Sequence, residues 1–223
     1  MKVIIFGASG MVGQGVLREA LLAPDVEQVL LVGRAAVDQR HPKLQQLVHA
    51  DLLDYGGQED RLSGYDACFF CLGVSSVGLA EADYARLTYD YTMAAARFLA
   101  QHNANLVFVY VSGAGTDSTE KGGSMWARVK GRTENALQRL PLKAAYLFRP
   151  GVIQPLNGSR SKTVRYRLLY VVMGPFLSLA RKLWPRSVLS TEIIGHAMLN
   201  AARGRGASGG VMESSDIYQL SKA

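Results

Sequence analysis

The first thirteen residues, Met-Lys-Val-Ile-Ile-Phe-Gly-Ala-Ser-Gly-Met-Val-Gly, constrain this chain more than any other stretch. Val3 to Phe6 is a run of β-branched and aromatic residues that stops abruptly at Gly7, the mark of a buried strand. Val12, Val16, Leu17, Ala20 and Leu21 then recur at helical spacing. Gly7, Gly10 and Gly13 therefore fall on a strand-to-helix turn. A glycine at the first position permits a tight turn, one at the second lets backbone approach a pyrophosphate, and one at the third lets helix and strand pack closely. The helix N-terminus adds unpaired N–H groups and a positive dipole end. An ordinary glycine turn also has such residues; the strand–turn–helix context at the first turn of the chain favours the phosphate-binding reading.

Strand and helix signals alternate from there. Lys2 to Phe6 is the first strand, Met11 to about Leu22 the first helix, and Val29 to Val32 a second buried strand ending at Gly33-Arg34. Gln46 to Ala50 reads as a third strand, Gly56 to Ser63 as a loop or short helix, and Asp66 to Leu72 as a fourth strand. Glu81 to Gln101 reads as one long helix, Leu106 to Val111 as a fifth strand, and Gly113 to Gly123 as a loop. Ser124 to Leu140 is a helix closed by Pro141, Ala144 to Phe148 a sixth strand, Ser190 to Ala202 a capped helix, and Gly209 to Glu213 a late edge strand. Near-continuous apolar strands alternating with helices predict an α/β, Rossmann-type doubly wound parallel sheet covered on both faces. The 223 residues suit a single domain, 1–223, with 155–223 expected to supply most of a small substrate-side lobe.

In folds of this kind the end of the second strand meets the adenosine ribose. An acidic residue there favours NAD; this chain has Arg34, whose guanidinium suits a 2′-phosphate, although a solvated loop arginine would look the same. Asp51 has two readings, a contact to the adenine edge or a turn-forming Asp.

Charge and cysteine usage exclude other classes. Lys and Arg exceed Asp and Glu by 25 to 18, a net +7, but the basic residues are dispersed except at Arg160 to Arg167 and Arg181 to Arg186. No recognition-helix or RNA-binding signature accompanies them, so no nucleic acid is expected. The apolar stretch Val164 to Leu183 has an uncharged run too short to span a bilayer, broken by Gly174-Pro175. It reads as a helical flap over the substrate side in preference to a membrane-surface helix. Cys68 and Cys71, three apart on a strand, point to opposite faces and are expected as core thiols. The histidines show no ligand spacing, so no metal is expected. Free cysteines and a strand-like N-terminus together suggest a cytoplasmic protein.

The succession Gly-Ala-Ser-Gly-Met-Val-Gly, Val32-Gly33-Arg34, Tyr110-Val111-Ser112, Val129-Lys130-Gly131 and Arg149-Pro150-Gly151-Val152 resembles the atypical short-chain dehydrogenases/reductases, in particular the branch of Tat-interacting-protein-like oxidoreductases. The resemblance implies NADP, in preference to NAD, bound by Gly7, Ser9, Gly10, Met11, Val12, Gly13, Arg34, Asp51, Leu52, Cys71, Gly73, Lys130, Arg149 and Pro150. It also implies a catalytic serine on the fifth strand and a Tyr-x-x-x-Lys pair on the next helix. There the tyrosine moves the proton, and the lysine lowers its pKa and holds the ribose. Ser112 and Lys130 match by position. The tyrosine position holds Trp126, whose indole is a donor that does not titrate usefully. Tyr84, Tyr89, Tyr91, Tyr166 and Tyr170 are candidates for a substitute hydroxyl. Two functions follow: an oxidoreductase acting on a small carbonyl or quinone-like substrate, as a monomer or homodimer, or a catalytically silent NADP(H)-sensing module.

Overall fold

The computed structural model describes residues 1–159, 177, 178, 180, 181, 183–206 and 208–223. Its elements run β1 (Lys2–Phe6), α1 (Met11–Leu22), β2 (Gln28–Gly33), β3 (Leu44–Val48), α2 (Glu59–Leu62), β4 (Ala67–Phe70), α3 (Glu81–Ala85), a π-helical turn (Arg86–Asp90), α4 (Tyr91–His102), β5 (Val107–Val111) and α5 (Met125–Leu137). They continue as β6 (Ala144–Arg149), β7 (Val152–Gln154), β8 (Val188–Ser190), α6 (Thr191–Ala202), β9 (Gly210–Glu213) and α7 (Ser214–Leu220). Seven strands form one all-parallel sheet in the order β3-β2-β1-β4-β5-β6-β9. The order reverses between β1 and β4, which opens a crevice at their carboxyl ends.

Strand alternation divides the core into two layers. Val3 and Ile5 pack with Val16, Leu17 and Ala20 of α1 and with Ile194, Ala197 and Met198 of α6. Ile4 and Phe6 face the opposite way, with Leu62 of α2, Met93, Ala96 and Leu99 of α4, and Leu137 of α5. Cys68 joins this second layer and Cys71 packs on the first, as a period of two requires; both thiols are free. Phe69, Phe70, Phe108 and Phe148 are wholly buried on the central strands. Each contributes about 1.5–3 kcal/mol of burial.

The fold class read from the sequence holds, and several boundaries move. β3 starts at Leu44 rather than Gln46, because pairing with β2 from Val29↔Leu44 to Gly33↔Val48 sets its extent. The helix expected over Glu81 to Gln101 widens into a π turn at Arg86–Asp90, an inserted residue that helical periodicity does not reveal. β7 and β8 pair in a separate two-stranded sheet, each too short to show a period. α7 follows β9 without a break: Glu213 is its N-cap and forms a capping box with Asp216.

The second half of the 155–223 stretch does not form a lobe. α6 packs along α1, and β9 adds to the edge of β6 from Tyr146↔Gly210 to Arg149↔Glu213. The apolar faces of α6 and β9 are covered by the main layers, which is where they bury most surface. Most of the expected flap, Val164 to Leu183, lies outside the described residues. Among the described residues no helix is long and apolar enough to cross a membrane.

Candidate functional site

The glycine turn caps the crevice. Gly7 has φ +75°, and a Cβ there would sit 2.6 Å from the Cys71 carbonyl at the end of β4. A Cβ on Gly13 would lie 2.2 Å from the Gly7 oxygen, so α1 can rest on the turn only without a side chain. Gly10 differs: within 4 Å its Cβ would meet only the Gly7 oxygen, at 3.3 Å. Packing therefore requires Gly7 and Gly13, while Gly10 leaves open space beside the backbone. Gly10 is also the N-cap of α1, with no side-chain cap and no acidic residue in the first turn, so this helix end keeps its positive dipole uncompensated. Ser9 sits on the same turn, its carbonyl accepting from the Gln14 amide at 3.0 Å, and Met11 and Val12 open the helix.

A cleft of about 230 Å³ lies over the ends of β1, β2 and β3, between the turn and the loop after β2. Ser9, Arg34, Leu52 and Leu72 line it. Arg34 is exposed there and makes no hydrogen bond or ion pair among the described residues. Its loop is held from β3: the Gln46 amide accepts from Val37 N–H at 2.8 Å and donates to the Val37 carbonyl at 3.0 Å. Asp51 is not on this cleft. Its carboxylate accepts from Leu53 N–H at 2.9 Å, so of its two readings the turn-forming one describes it.

A second cleft, about 320 Å³, opens beyond β4. Val74 to Val77, Tyr84, Trp126 and Lys130 line it. Gly73, exposed, stands between Leu72 of the first cleft and Val74 of the second. Trp126 and Lys130, one turn apart on α5, share the cleft face, and the Trp126 ring packs on Gly115. Lys130 Nζ donates to the Ser112 carbonyl. Burial brings its ammonium down to about 8, opposed by the Glu134 carboxylate one turn further along. Burial pushes the Tyr84 hydroxyl up, so it releases a proton less readily than a free tyrosine. Tyr89 lies under the Arg132 guanidinium at 4.1 Å, and Tyr91 does not line the cleft. Tyr166 and Tyr170 lie outside the described residues.

Behind this cleft is a buried polar network. Ser112 is 4% exposed, and its Oγ donates to Glu134 Oε1 at 2.5 Å, with the Phe148 carbonyl at 3.0 Å. Glu134 is fully buried and receives Arg149 Nε at 3.1 and 3.2 Å, together with Nη2. Arg149 also reaches Ser118 Oγ at 2.5 Å and Glu213 at 3.5 Å. The Ser112 hydroxyl faces Glu134 rather than a substrate, because a buried carboxylate demands donors. The Arg149 guanidinium is bonded to that same carboxylate. Pro150 is buried, its carbonyl accepting from Ala114 N–H at 2.9 Å. Cys71 contributes backbone contact to Gly7, while burial pushes its thiol up to about 12. Glu134 is the group sequence reasoning missed; the available signal was a carboxylate four residues after Lys130 on the same helix. Gly131 belongs to the same construction: a Cβ there would sit 1.7 Å from the Asp117 carbonyl, so only glycine lets the 113–123 loop lie on α5.

No protein-family profile matches the chain. Among curated proteins it is 27% identical to Protein HTATIP2 of Rattus norvegicus over 155 residues, 68% of this chain and 62% of that protein. It is 25% identical to Protein fmp52-2, mitochondrial, of Aspergillus oryzae over 225 residues, 98% of this chain and 96% of that protein. Among solved structures, a UDP-glucose 4-epimerase superposes with a TM-score of 0.72 at 14% identity, covering 98% of this chain and 80% of that one. The Bordetella bronchiseptica enzyme WbmF in complex with NAD+ gives 0.65 at 17% identity, covering 99% of this chain and 76% of that one. The resemblance to the atypical short-chain dehydrogenases/reductases holds, and the fold is Rossmann-like, as in these solved structures. The cytoplasmic expectation is corrected: the fungal relatives are named as mitochondrial. Two thiols held on opposite faces of the sheet do not pair in any compartment, so they single out none.

Proposed function

We propose that this relative of the atypical short-chain dehydrogenases/reductases is an NADP(H)-dependent oxidoreductase acting on a small carbonyl or quinone-like substrate. The observation that carries the reading is the pair of clefts, one over β1–β3 beside the glycine turn and one beyond β4, whose linings adjoin at Leu72-Gly73-Val74 next to the strand-order reversal. A dinucleotide has this shape, two nucleoside halves linked by a pyrophosphate.

The residues present fit such a group. The uncapped N-terminus of α1 and the open side of Gly10 suit the pyrophosphate. Arg34, without a protein partner among the described residues, suits a 2′-phosphate through its fork of donors. Leu52 and Leu72 offer apolar surface to the adenosine half. When bound, the nicotinamide supplies or accepts a hydride. The chain's part is positional and protonic. Trp126 offers a flat apolar wall, Val74 and Val77 narrow the cleft, and Lys130 brings a cation to the place where carbonyl oxygen gains charge. This lining favours a compact, largely apolar substrate.

Trp126 at the tyrosine position and the inward-facing Ser112 hydroxyl support a second reading, an NADP(H)-sensing module without turnover. Titration calorimetry with NADPH and NADH, followed by a screen of ketones, aldehydes and quinones monitored by NADPH absorbance, separates the two. Tight NADPH binding with turnover of any substrate supports the enzyme. Binding without turnover supports the module, and failure to bind either nucleotide overturns both.

A further inference from the structure

The second cleft has no tyrosine–lysine pair on α5, yet it keeps the lysine in a setting unlike that of a surface residue. Lys130 lines the cleft and donates to the Ser112 carbonyl. The Ser112 hydroxyl, on the other side of the same residue, is bound to Glu134, which in turn is fixed by Arg149 of β6. Ser112 thus serves as a bridge: its carbonyl holds the ammonium and its hydroxyl holds the carboxylate. Among the described residues, the other polar groups that line this cleft with Lys130 are those of Trp126, Ser75, Ser76 and Tyr84. The indole and the serines do not titrate usefully, and Tyr84 is a weaker acid than a free phenol because burial disfavours its anion.

We propose that Lys130 is itself the proton donor of this site, and that Glu134 is the positioning residue that keeps it charged. The proposal rests on the oxidoreductase reading above and deepens it. In the reductive direction the substrate carbonyl carbon accepts the hydride that NADPH supplies. The C–O π pair moves onto oxygen, and that oxygen takes one proton from Nζ. NADP+, an alcohol and a neutral amine result, and the amine regains its proton from water once the product leaves. An ammonium that burial has brought down to about 8 is suited to this work near neutral pH, where an ordinary lysine holds its proton too tightly. Glu134 opposes that descent, so that the lysine is still charged when substrate arrives.

The experiment reads Lys130 directly as well as through turnover. Amine labelling by trinitrobenzenesulfonate, mapped by mass spectrometry across pH 6–11, should give a Lys130 midpoint near pH 8, against about 10.4 for exposed lysines. Glu134→Gln, which keeps a hydrogen-bond acceptor for Ser112, should move that midpoint down by about one pH unit. Lys130→Arg keeps the positive charge without a releasable proton. At saturating NADPH it should reduce substrate at least about a hundredfold more slowly. A wild-type midpoint above pH 10 overturns the proposal whatever the activity, and remains readable if Glu134→Gln does not fold. Lys130→Arg with undiminished turnover overturns it as well, and loss of turnover in Tyr84→Phe alone would assign the proton to Tyr84. A wild type that binds NADPH and turns over nothing defeats the oxidoreductase reading, and with it the donor role. The labelling midpoint then shows whether the Lys130–Glu134 couple itself exists.

Discussion

The two clefts are built on opposite principles. The one over β1–β3 is defined by what is missing: side chains at Gly7, Gly10 and Gly13, a side-chain cap on α1 and, among the described residues, a partner for Arg34. The one beyond β4 is backed by polar groups already bonded to one another, from Lys130 through Ser112 and Glu134 to Arg149. The first leaves its hydrogen-bonding capacity for a ligand. The second spends most of its own on holding a single cation in place. A backbone cradle tolerates little added bulk, whereas a buried network tolerates little loss of charge.

The sharpest break in that contrast is Glu134→Ala. It leaves the mostly buried Arg149 guanidinium with only Ser118 and the exposed Glu213, and should destabilise the protein by about 3–5 kcal/mol in chemical denaturation. A loss below about 1 kcal/mol would mean that the network is not a structural unit. Next in size is Lys130→Met, compared with wild type across pH. The lysine titrates lower in the folded chain than in the unfolded one, so the unfolded state binds more protons between about pH 8 and the ordinary lysine value of 10.5. The cost of burying its charge is therefore full below about pH 8 and disappears as pH rises toward 10.5. The stability of Lys130→Met relative to wild type should fall over that range by up to about 3 kcal/mol. A pH-independent difference would remove the desolvated lysine from the account.

The first cleft is tested by binding. Arg34→Ala should weaken NADPH by about 1.5–3 kcal/mol, tenfold or more, and leave NADH unchanged. Equal losses for both would deny the 2′-phosphate contact. Gly10→Ala should change stability by less than about 1 kcal/mol, because the added carbon meets one atom at 3.3 Å, and yet weaken both nucleotides about tenfold. If it cost stability without affinity, Gly10 would be a packing glycine like its two neighbours in the motif.

How much of this the sequence disclosed follows the same division. Glycine spacing is a backbone requirement written in one letter, so the turn, its strand and its helix are legible from Met1 to Leu22, and Arg34 was found by counting to the end of the next strand. The direction of a hydroxyl is not written in the same way. Ser112 stands at the expected place on β5, but its Oγ follows Glu134, 22 residues later and on another element. The partner of Arg149 is hidden for the same reason: it is a carboxylate brought to the guanidinium by folding. β7 and β8, at three residues each, are shorter than any period can reveal. α7 was announced only by the Glu213 and Asp216 capping pair, which a strand reading of Gly209 to Glu213 had absorbed.

Glu213 joins these separate matters. It closes the last rung of β9 against Arg149, reaches the Arg149 guanidinium, and starts α7. A parallel strand added at an edge can pair one residue out of step, and such a slip would turn Met212 outward and carry Glu213 away from its cation. Only the observed register brings both Glu134 and Glu213 to the Arg149 guanidinium. A seventh strand out of step would leave that guanidinium to Glu134 alone, so the register of the sheet edge and the charge balance of the network behind Lys130 are tied to one another.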